Sequence, residues 1–495
     1  MSDKKIQSIL ISLYNKDGLS QLLPLLKQHQ IKIYSTGGTY NYIIEQGFQA
    51  IEVENITGYP SILGGRVKTL HPSVFGGILA RRSNDQDGRD LEIYGIPEID
   101  AVFVDLYPFE ETVASTTDEA AIIEKIDIGG VSLIRAGAKN YKDVVIIPSF
   151  KQLPQLMHLL AEQQAVSTLA DRKQLAIAAF GVTSAYDTAI HQWFNPATGL
   201  RYGENPHQTG SFRGNLNELF SVLNGKEISY NNLLDIDAAL QLIIEFDTPT
   251  VAIIKHNNAC GAASAATLVE AWTKALAGDP VAAFGGVVVC NEKIDLTTAE
   301  EIHKIFVEVI IAPGYDAAAL ALLSEKKNRI IIQQNQAFVP IKQQQRTLLN
   351  GILVQDYNAA TIDQATLKQV STLAADEKTM HDLTFANKLV KHLKSNAIAL
   401  VKNNQLIGSG CGQTSRIDAL KQAIHKAKQF GFSCDSAVMA SDAFFPFPDC
   451  VEEAYNAGIR AVIQPGGSIK DQASIDFCNA HEMVMLTTGL RHFKH

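Results

Sequence analysis

Residues 8–47 read SILISLYNKDGLSQLLPLLKQHQIKIYSTGGTYNYIIEQG, and this stretch decides the fold of the first part of the chain. Two short runs rich in β-branched residues, SILISLY and IKIYST, are separated by the amphipathic LSQLLPLLKQHQ and followed by the helix-like TYNYIIEQG. Strands this continuously apolar are buried on both faces, and a helix between two of them is the pattern of a parallel βαβ unit. AVFVDLY (101–107) and DVVIIP (143–148) supply later strands, with IIEKIDIGGVSLIRAGAK (122–139) as loop and helix between them. The sequence therefore predicts an open α/β sheet. It ends where the helical period over 167–194 is broken at Asn195-Pro196, since the residue before proline avoids the helical region.

Beyond that break a second α/β pattern begins, with TVAIIKHN (250–257), FGGVVVCN (284–291), RIIIQ (329–333) and GILVQD (351–356) as strands. ATLVEAWTKALAG (266–278) and EEIHKIFVEVI (300–310) read as helices, and the Gln-rich 333–346 as a connector. A third unit is expected from about Thr361, with a helix around HDLTFANKLVKHLK, a hairpin at NAIALVKNNQLIGSG, a capped helix from Ser415 and buried strands in SAVMASDAFF and RAVIQPGG. The expected domains are thus 1–195, 196–360 and 361–495. At 495 residues, three domains are the natural division.

Composition narrows the function classes. Forty-three Lys and Arg against 52 Asp and Glu give a net charge of −9, so there is no global basic field for nucleic acid. The N-terminal apolar run is too short for a signal or a membrane span, and a cytoplasmic protein is expected. The 6 Cys all lie in the second half without a C-x-x-C pair, which argues against a disulfide framework or structural zinc. The zinc-deaminase pattern H-x-E with P-C-x-x-C is also missing.

Several clusters carry possible chemistry. Ser35-Thr36-Gly37-Gly38-Thr39 joins a strand to a helix, so its N–H groups and hydroxyls suit a phosphate, although a tight glycine turn would look the same. Gly65 to Pro72 puts Arg66, Lys68 and His71 in one loop, which fits an anion or a solvated basic loop equally well. IDIGG (126–130) precedes Arg135 and Lys139, which fall on one helix face. Tyr107 ends a strand with a phenol suited to a developing oxyanion. Lys255-His256-Asn257-Asn258 ends another strand with an imidazole poised for proton transfer near neutral pH, where a structural histidine is the plainer reading. RYGENPH (201–207) is dense in polar groups for a linker, and Arg491 and Phe493 would suit a phosphate and an aromatic ring.

Together STGGT, GRVKTLHP, LYPFEETVA, IDIGG, RAGAKN, LRYGENPHQ, SYNNLLD, IKHNNACG, AFGG, VEVIIAPGY, SNAIAL, SDAFFPF, QPGGSI and RHF stand in the order of one family. The chain resembles, almost end to end, the bifunctional purine-biosynthesis proteins that join AICAR transformylase to IMP cyclohydrolase. The resemblance implies an N-terminal cyclohydrolase with a methylglyoxal-synthase-like open parallel sheet, followed by two cytidine-deaminase-like α/β subdomains without zinc. It implies 10-formyltetrahydrofolate as formyl donor, AICAR, FAICAR and IMP as the other small molecules, no metal for the chemistry, and a homodimer with transformylase sites at the subunit interface.

By the same resemblance Ser12, Lys16, Ser35, Thr36, Gly37, Gly38 and Thr39 match a nucleotide phosphate site, and Arg66, Lys68, Thr69, Tyr107, Asp127, Gly129, Gly130 and Lys139 the cyclising centre. Lys68, Tyr107 and Lys139 would handle protons and charge, with Asp127 orienting the amide. For formyl transfer, His256 matches the catalytic histidine, with Lys255 beside it and Asn396 positioning the reacting groups. Arg201, Tyr202, Asn231, Phe444, Arg491 and Phe493 match AICAR-binding positions, and Glu308 and Asp449 lie where polar substrate or folate contacts are expected. Four positions depart from the family pattern: Asn15 for Asp, Asp105 for Asn, Ala259 for Pro and Pro448 for Arg. None removes a candidate catalytic group. A transformylase without cyclisation, and a nucleotide-binding regulator without turnover, are the competing readings.

Overall fold

Five parallel strands carry the first unit: β1 (Ser8–Leu13), β2 (Lys32–Ser35), β3 (Ile51–Glu52), β4 (Ala101–Asp105) and β5 (Val145–Ile147), in the order β3-β2-β1-β4-β5. In the computed structural model, which describes residues 3–363 and 366–495, this sheet belongs to the unit Met1–Pro196, and a second unit takes Ala197–His495. Ile9, Leu10 and Ile11 of β1 and Val102 and Phe103 of β4 are fully buried, as strands covered on both faces must be. Each such side chain stabilises the fold by about 1.5–3 kcal/mol through lost apolar surface. The long helix Leu169–Phe194 starts at a capping box, in which Thr168 and Asp171 satisfy each other's backbone N–H groups. It stops at Asn195, before the proline.

The second unit is built on one sheet of twelve strands, and its chain order shows an internal duplication. In the first half an outer strand, Phe220–Asn224, is followed by the helix Tyr230–Ile243, a hairpin of Thr250–Lys255 and Asn258–Ser264, and then the parallel strands Val287–Cys290, Val309–Ala312 and Ile330–Gln334. In the second half Lys368–Gln369 is followed by the helix Glu377–His392, a hairpin of Ile398–Lys402 and Gln405–Gly410, and the parallel strands Val438–Ser441, Ala461–Gln464 and Val484–Thr487. The halves meet where Ala263 pairs with Gln405, so their strand orders mirror each other across the seam. Gly261 and Gly408 hold matching places, each pressed so close to the helix behind it that a Cβ would collide with a backbone carbonyl. The first outer strand carries a register shift between Val222 and Asn224.

Charge also crosses the seam. Glu245, at the end of the first half's helix, accepts from Lys391 Nζ at 2.7 Å and stands 3.0 Å from His392 Nε2, and Lys426 pairs with Asp279. Burial alone would raise the Glu245 carboxyl, but the hydrogen bonds from His392 and Lys391 outweigh it and hold it down to about 2.

Two expectations change. EEIHKIFVEVI is not one helix: the helix is Leu296–His303, and Val309–Ala312 is a strand. Period alone cannot separate a short apolar run into helix or strand, and here Val309, Ile310 and Ile311 are buried on both faces of the sheet. The Gln-rich connector contains a strand, Gln343–Leu348, which pairs only with Gly351–Asp356 in a ribbon separate from the main sheet. GILVQD is thus a strand outside the second sheet, and it leaves Ile352, Leu353 and Val354 more than half exposed. Among the described residues no helix is long and apolar enough to cross a membrane.

Candidate active sites

In the first unit the chain leaves β1 towards β2 on one side and later adds β4 and β5 on the other. The loops after β1 and β4 therefore flank the point where strand order reverses, the usual ligand crevice of an open α/β sheet. The candidates gather there. Ser12 Oγ lies 3.2 Å from Thr36 Oγ1. Ser35 donates to the Ile11 carbonyl at 2.8 Å, and Thr39 Oγ1 both accepts from Leu13 N–H and donates to Leu13 O at 3.0 Å. The Ser35 hydroxyl ties β2 to β1 and that of Thr39 ties the helix Gly37–Glu45 to β1, and what remains for a ligand is the start of that helix, whose first N–H groups have no intrahelical partner. Two ammonium groups stand over it: a Cβ on Gly38 would lie 3.9 Å from Lys16 Nζ, and one on Gly37 3.7 Å from Lys68 Nζ.

Thr69 Oγ1 faces Gly129 at the start of a second helix, Gly129–Lys139. Just before it, the Asp127 carboxylate accepts from Gly130 N–H at 2.6 Å. Burial pushes this carboxyl above its ordinary value, against the pull of the Gly130 and Tyr107 N–H groups and the Lys68 charge. The Tyr107 phenol is raised by burial and then by the charges of Asp127 and Glu124, so it stays a protonated donor at neutral pH. Lys125 Nζ lies over the rings of Tyr14 and Tyr107 at 5.0 and 5.6 Å. Asn15 and Asp105, both departures from the family pattern, meet each other, since Asn15 N–H donates to Asp105 at 3.1 Å. Arg66 pairs with Glu124 on the exposed rim.

Lys139 is not brought to this cluster. It ends the helix that Gly129 begins, so about 15 Å of helix axis separates the two at 1.5 Å per residue, and its side chain is exposed. The shared helix face noted in the sequence leads away from the sheet edge.

In the second unit Lys255 pairs with Asn258, so His256 and Asn257 form a two-residue turn with φ of 51° and 64°. The sequence reading put His256 at a strand end, whereas it stands exposed at a hairpin tip. Asp235, on the helix Tyr230–Ile243, accepts from Asn257 N–H at 2.7 Å and fixes that tip. Lys255 Nζ donates to the carbonyls of Phe284 and Gly285 at 3.0 and 3.1 Å, which ties it to the AFGG loop. Asn258 Oδ1 accepts from Lys394 N–H at 2.9 Å, linking the hairpin to the segment that carries Asn396. Asn396 Oδ1 accepts from Arg416 at 2.9 Å, and Arg416 also binds the fully buried Asp442 at 2.7 Å and the Phe444 carbonyl at 3.2 Å. The chain end closes the set, with His492 N–H donating to Asp442 O and Ser395 N–H to Lys494 O, both at 2.9 Å. This anchors Arg491, which stacks on Phe493 at 4.6 Å.

Arg201 stacks on Tyr202 at 4.8 Å, and Asn231 donates to Glu204 O at 3.1 Å from the same helix as Asp235. Glu308 and Asp449 are engaged elsewhere: Glu308 pairs with Lys226 at 2.8 Å, and Asp449 caps the Cys450 N–H at the start of its own helix, directly after Pro448. Asp235, Lys394, Arg416 and Asp442 were not among the sequence candidates. Three of them sit inside or beside quoted motifs (SYNNLLD, SNAIAL, SDAFFPF), but a buried partner leaves no mark on spacing. Among the described residues no group of three or more His, Cys, Asp or Glu is disposed to hold a metal.

Comparison with known proteins agrees in two places. The family model described as the AICARFT/IMPCHase bienzyme matches residues 137–426, and that of the MGS-like domain matches 18–132. The bifunctional purine biosynthesis protein PurH of Bacteroides thetaiotaomicron is 57% identical over 504 residues, covering 99% of each chain. The proteins of that name from Aquifex aeolicus and Acetivibrio thermocellus are 45% and 44% identical, over 98% and 99% of this chain and 99% and 100% of their own.

Proposed function

The chain belongs to the AICARFT/IMPCHase bienzyme family, and from that premise we propose how its residues divide two consecutive reactions between the two units. The protein is an AICAR formyltransferase and IMP cyclohydrolase of purine biosynthesis. It transfers the formyl group of 10-formyltetrahydrofolate to the 5-amino group of AICAR, then closes FAICAR to IMP with loss of water. The first unit has an MGS-like open parallel sheet.

We assign cyclisation to the first unit, and the gathering of Lys68, Asp127 and Tyr107 at the sheet's reversal point carries this reading. The helix starting at Gly37, with Lys16 and Thr36, takes the phosphate, and Gly129, Gly130 and Thr69 border the base. The carboxamide nitrogen attacks the formyl carbon, so charge builds on the formyl oxygen. Lys68 offsets that charge, the carboxamide and formamide nitrogens each give up one proton, Tyr107 relays these to the formyl oxygen so that it leaves as water, and Asp127 orients the amide. Lys139 has no part in this scheme, and Arg66 acts from the rim.

Formyl transfer falls to the second unit, in subdomains 196–360 and 361–495 of cytidine-deaminase-like type. The 5-amino group is a poor nucleophile because its lone pair is delocalised, so it needs a base close by. His256 takes its proton as nitrogen attacks the formyl carbon, and the folate nitrogen leaves protonated. Lys255 supports the charge, Asn396 positions the reacting groups, and Arg201, Tyr202, Asn231, Phe444, Arg491 and Phe493 bind AICAR, with Glu308 and Asp449 at polar substrate or folate contacts. The protein acts in the cytoplasm as a homodimer, and the exposed apolar ribbon 343–356 supports burial against a second copy.

The test is incubation of the purified protein with AICAR and 10-formyltetrahydrofolate, with nucleotides resolved by chromatography. IMP and tetrahydrofolate are expected together. FAICAR without IMP would remove cyclisation from the first unit, and neither product would leave a nucleotide-binding regulator.

A further inference from the structure

Behind the first-unit cluster, a side chain from another element holds the loop that carries Asp127. Tyr186, on the helix Leu169–Phe194, donates its hydroxyl to the Lys125 carbonyl at 2.7 Å and accepts from the Asp127 N–H at 2.9 Å. One oxygen thus satisfies a backbone group on each side of Ile126, 59 residues away in sequence from the nearer of them. Its ring packs edge to face on Phe109, two residues past Tyr107, at 6.1 Å. Burial raises the phenol to about 12, so the hydroxyl keeps its proton throughout the working range.

This grip bears on everything the loop presents. Asp127 has its N–H fixed by Tyr186 and its carboxylate fixed by Gly130, so both ends of the residue are aimed. Lys125, whose carbonyl is the other partner, places its ammonium over Tyr14 and Tyr107. Without the hydroxyl, a partly buried carbonyl and a partly buried N–H lose their partner together and the loop must shift to recover them. A shift of about 1 Å at a reacting group is enough to cost a large rate factor.

We propose that Tyr186 is a positioning residue for cyclisation, acting through the 125–127 loop and not by touching substrate. The inference rests on the reading of the first unit as the cyclohydrolase.

The test is Tyr186→Phe, which deletes the hydroxyl and keeps the ring, assayed with FAICAR supplied directly. The expected result is a fall in kcat of roughly 10-fold with KM within about two-fold, because the phosphate grip at Gly37 and Lys16 is untouched. Formyl transfer by the second unit, measured on the same sample, should stay at the wild-type level and reports that the chain is intact. In an Asp127→Asn background the same substitution should change kcat by less than about two-fold, since its route through Asp127 is already gone. A second variant, Phe109→Leu, loosens the ring packing while leaving the hydroxyl, and should lower the melting midpoint with little change in kcat. Y186F cyclising like wild type would overturn the proposal. So would an undiminished effect in the Asp127→Asn background, or a loss in Phe109→Leu equal to that in Y186F. Failure of the wild-type protein to cyclise FAICAR would instead strike at the function assigned to the unit.

Discussion

At 255–258 and again at 402–405 the second unit makes the same turn: two antiparallel strands joined by two residues, both with positive φ. In the second half the residues are Asn403 and Asn404, each at φ 53°, and their N–H groups donate at 2.9 and 2.6 Å to Asp382 on the preceding helix. In the first half Asp235 takes the matching place on its helix, but the first turn residue is His256. Asparagine tolerates the left-handed region well, whereas a bulkier side chain there is held at a cost of about 1 kcal/mol or more. The aspartate and the turn therefore belong to the duplicated fold, and the imidazole belongs to the site. Within the two-residue turn, what distinguishes the working hairpin from its structural twin is one side chain.

The sharpest way to break this comparison is to make the first turn resemble the second. His256→Asn should leave folding intact and cut formyl transfer by roughly 10²-fold to 10⁴-fold, the scale of a positioned acid-base group, with FAICAR cyclisation unchanged. Steady-state assay of both activities on one sample checks this, and retained transfer would return His256 to a structural role.

The comparison also requires the halves to be one body, and the buried charges across the seam test that. Lys391→Met should destabilise the second unit by about 3–5 kcal/mol, because it strands Glu245 with a single remaining partner for its charge. Acid should act in the same direction. Glu245 sits at about 2 in the fold against 4.5 when free, so its contribution is complete above pH 4.5 and is lost as pH falls towards 2. His392 is lowered by burial from 6.5, so its neutral form begins to weaken the fold as pH drops below that value. Melting midpoints across that range should fall monotonically, more steeply in wild type than in Lys391→Met.

Smaller effects separate frame from function. Asp235→Ala and Asp382→Ala should each cost about 1–3 kcal/mol of stability in chemical denaturation, since both leave turn N–H groups without an acceptor. Only Asp235→Ala should also slow formyl transfer. Smallest of all, Asn403→His should lower stability by about 1 kcal/mol and create no new activity.

Much of this was readable from residue order. The βαβ run at 8–47 gave the parallel sheet because doubly buried strands have a composition of their own, and the cap at Ser415 opens the helix Arg416–Gln429 as expected. The resemblance implied two like subdomains, but residue order by itself does not display the duplication, since the matching turns read KHNN and KNNQ. Lys139 shares a helix face with Arg135, and such a face says nothing about distance along the axis. Asp235, Arg416 and Tyr186 stayed hidden because each acts through a partner supplied by another element, which only the folded chain brings near.

The two outer strands of the twelve-stranded sheet have one more consequence. A sheet this wide presents rows of unpaired N–H and C=O groups at both ends, to which strands of neighbouring molecules can add without limit. Here one end is a strand kinked by its register shift and the other is two residues long and begins with a lysine. One is not flat and the other is too short, so neither edge is a ready template for strand addition by a neighbouring molecule.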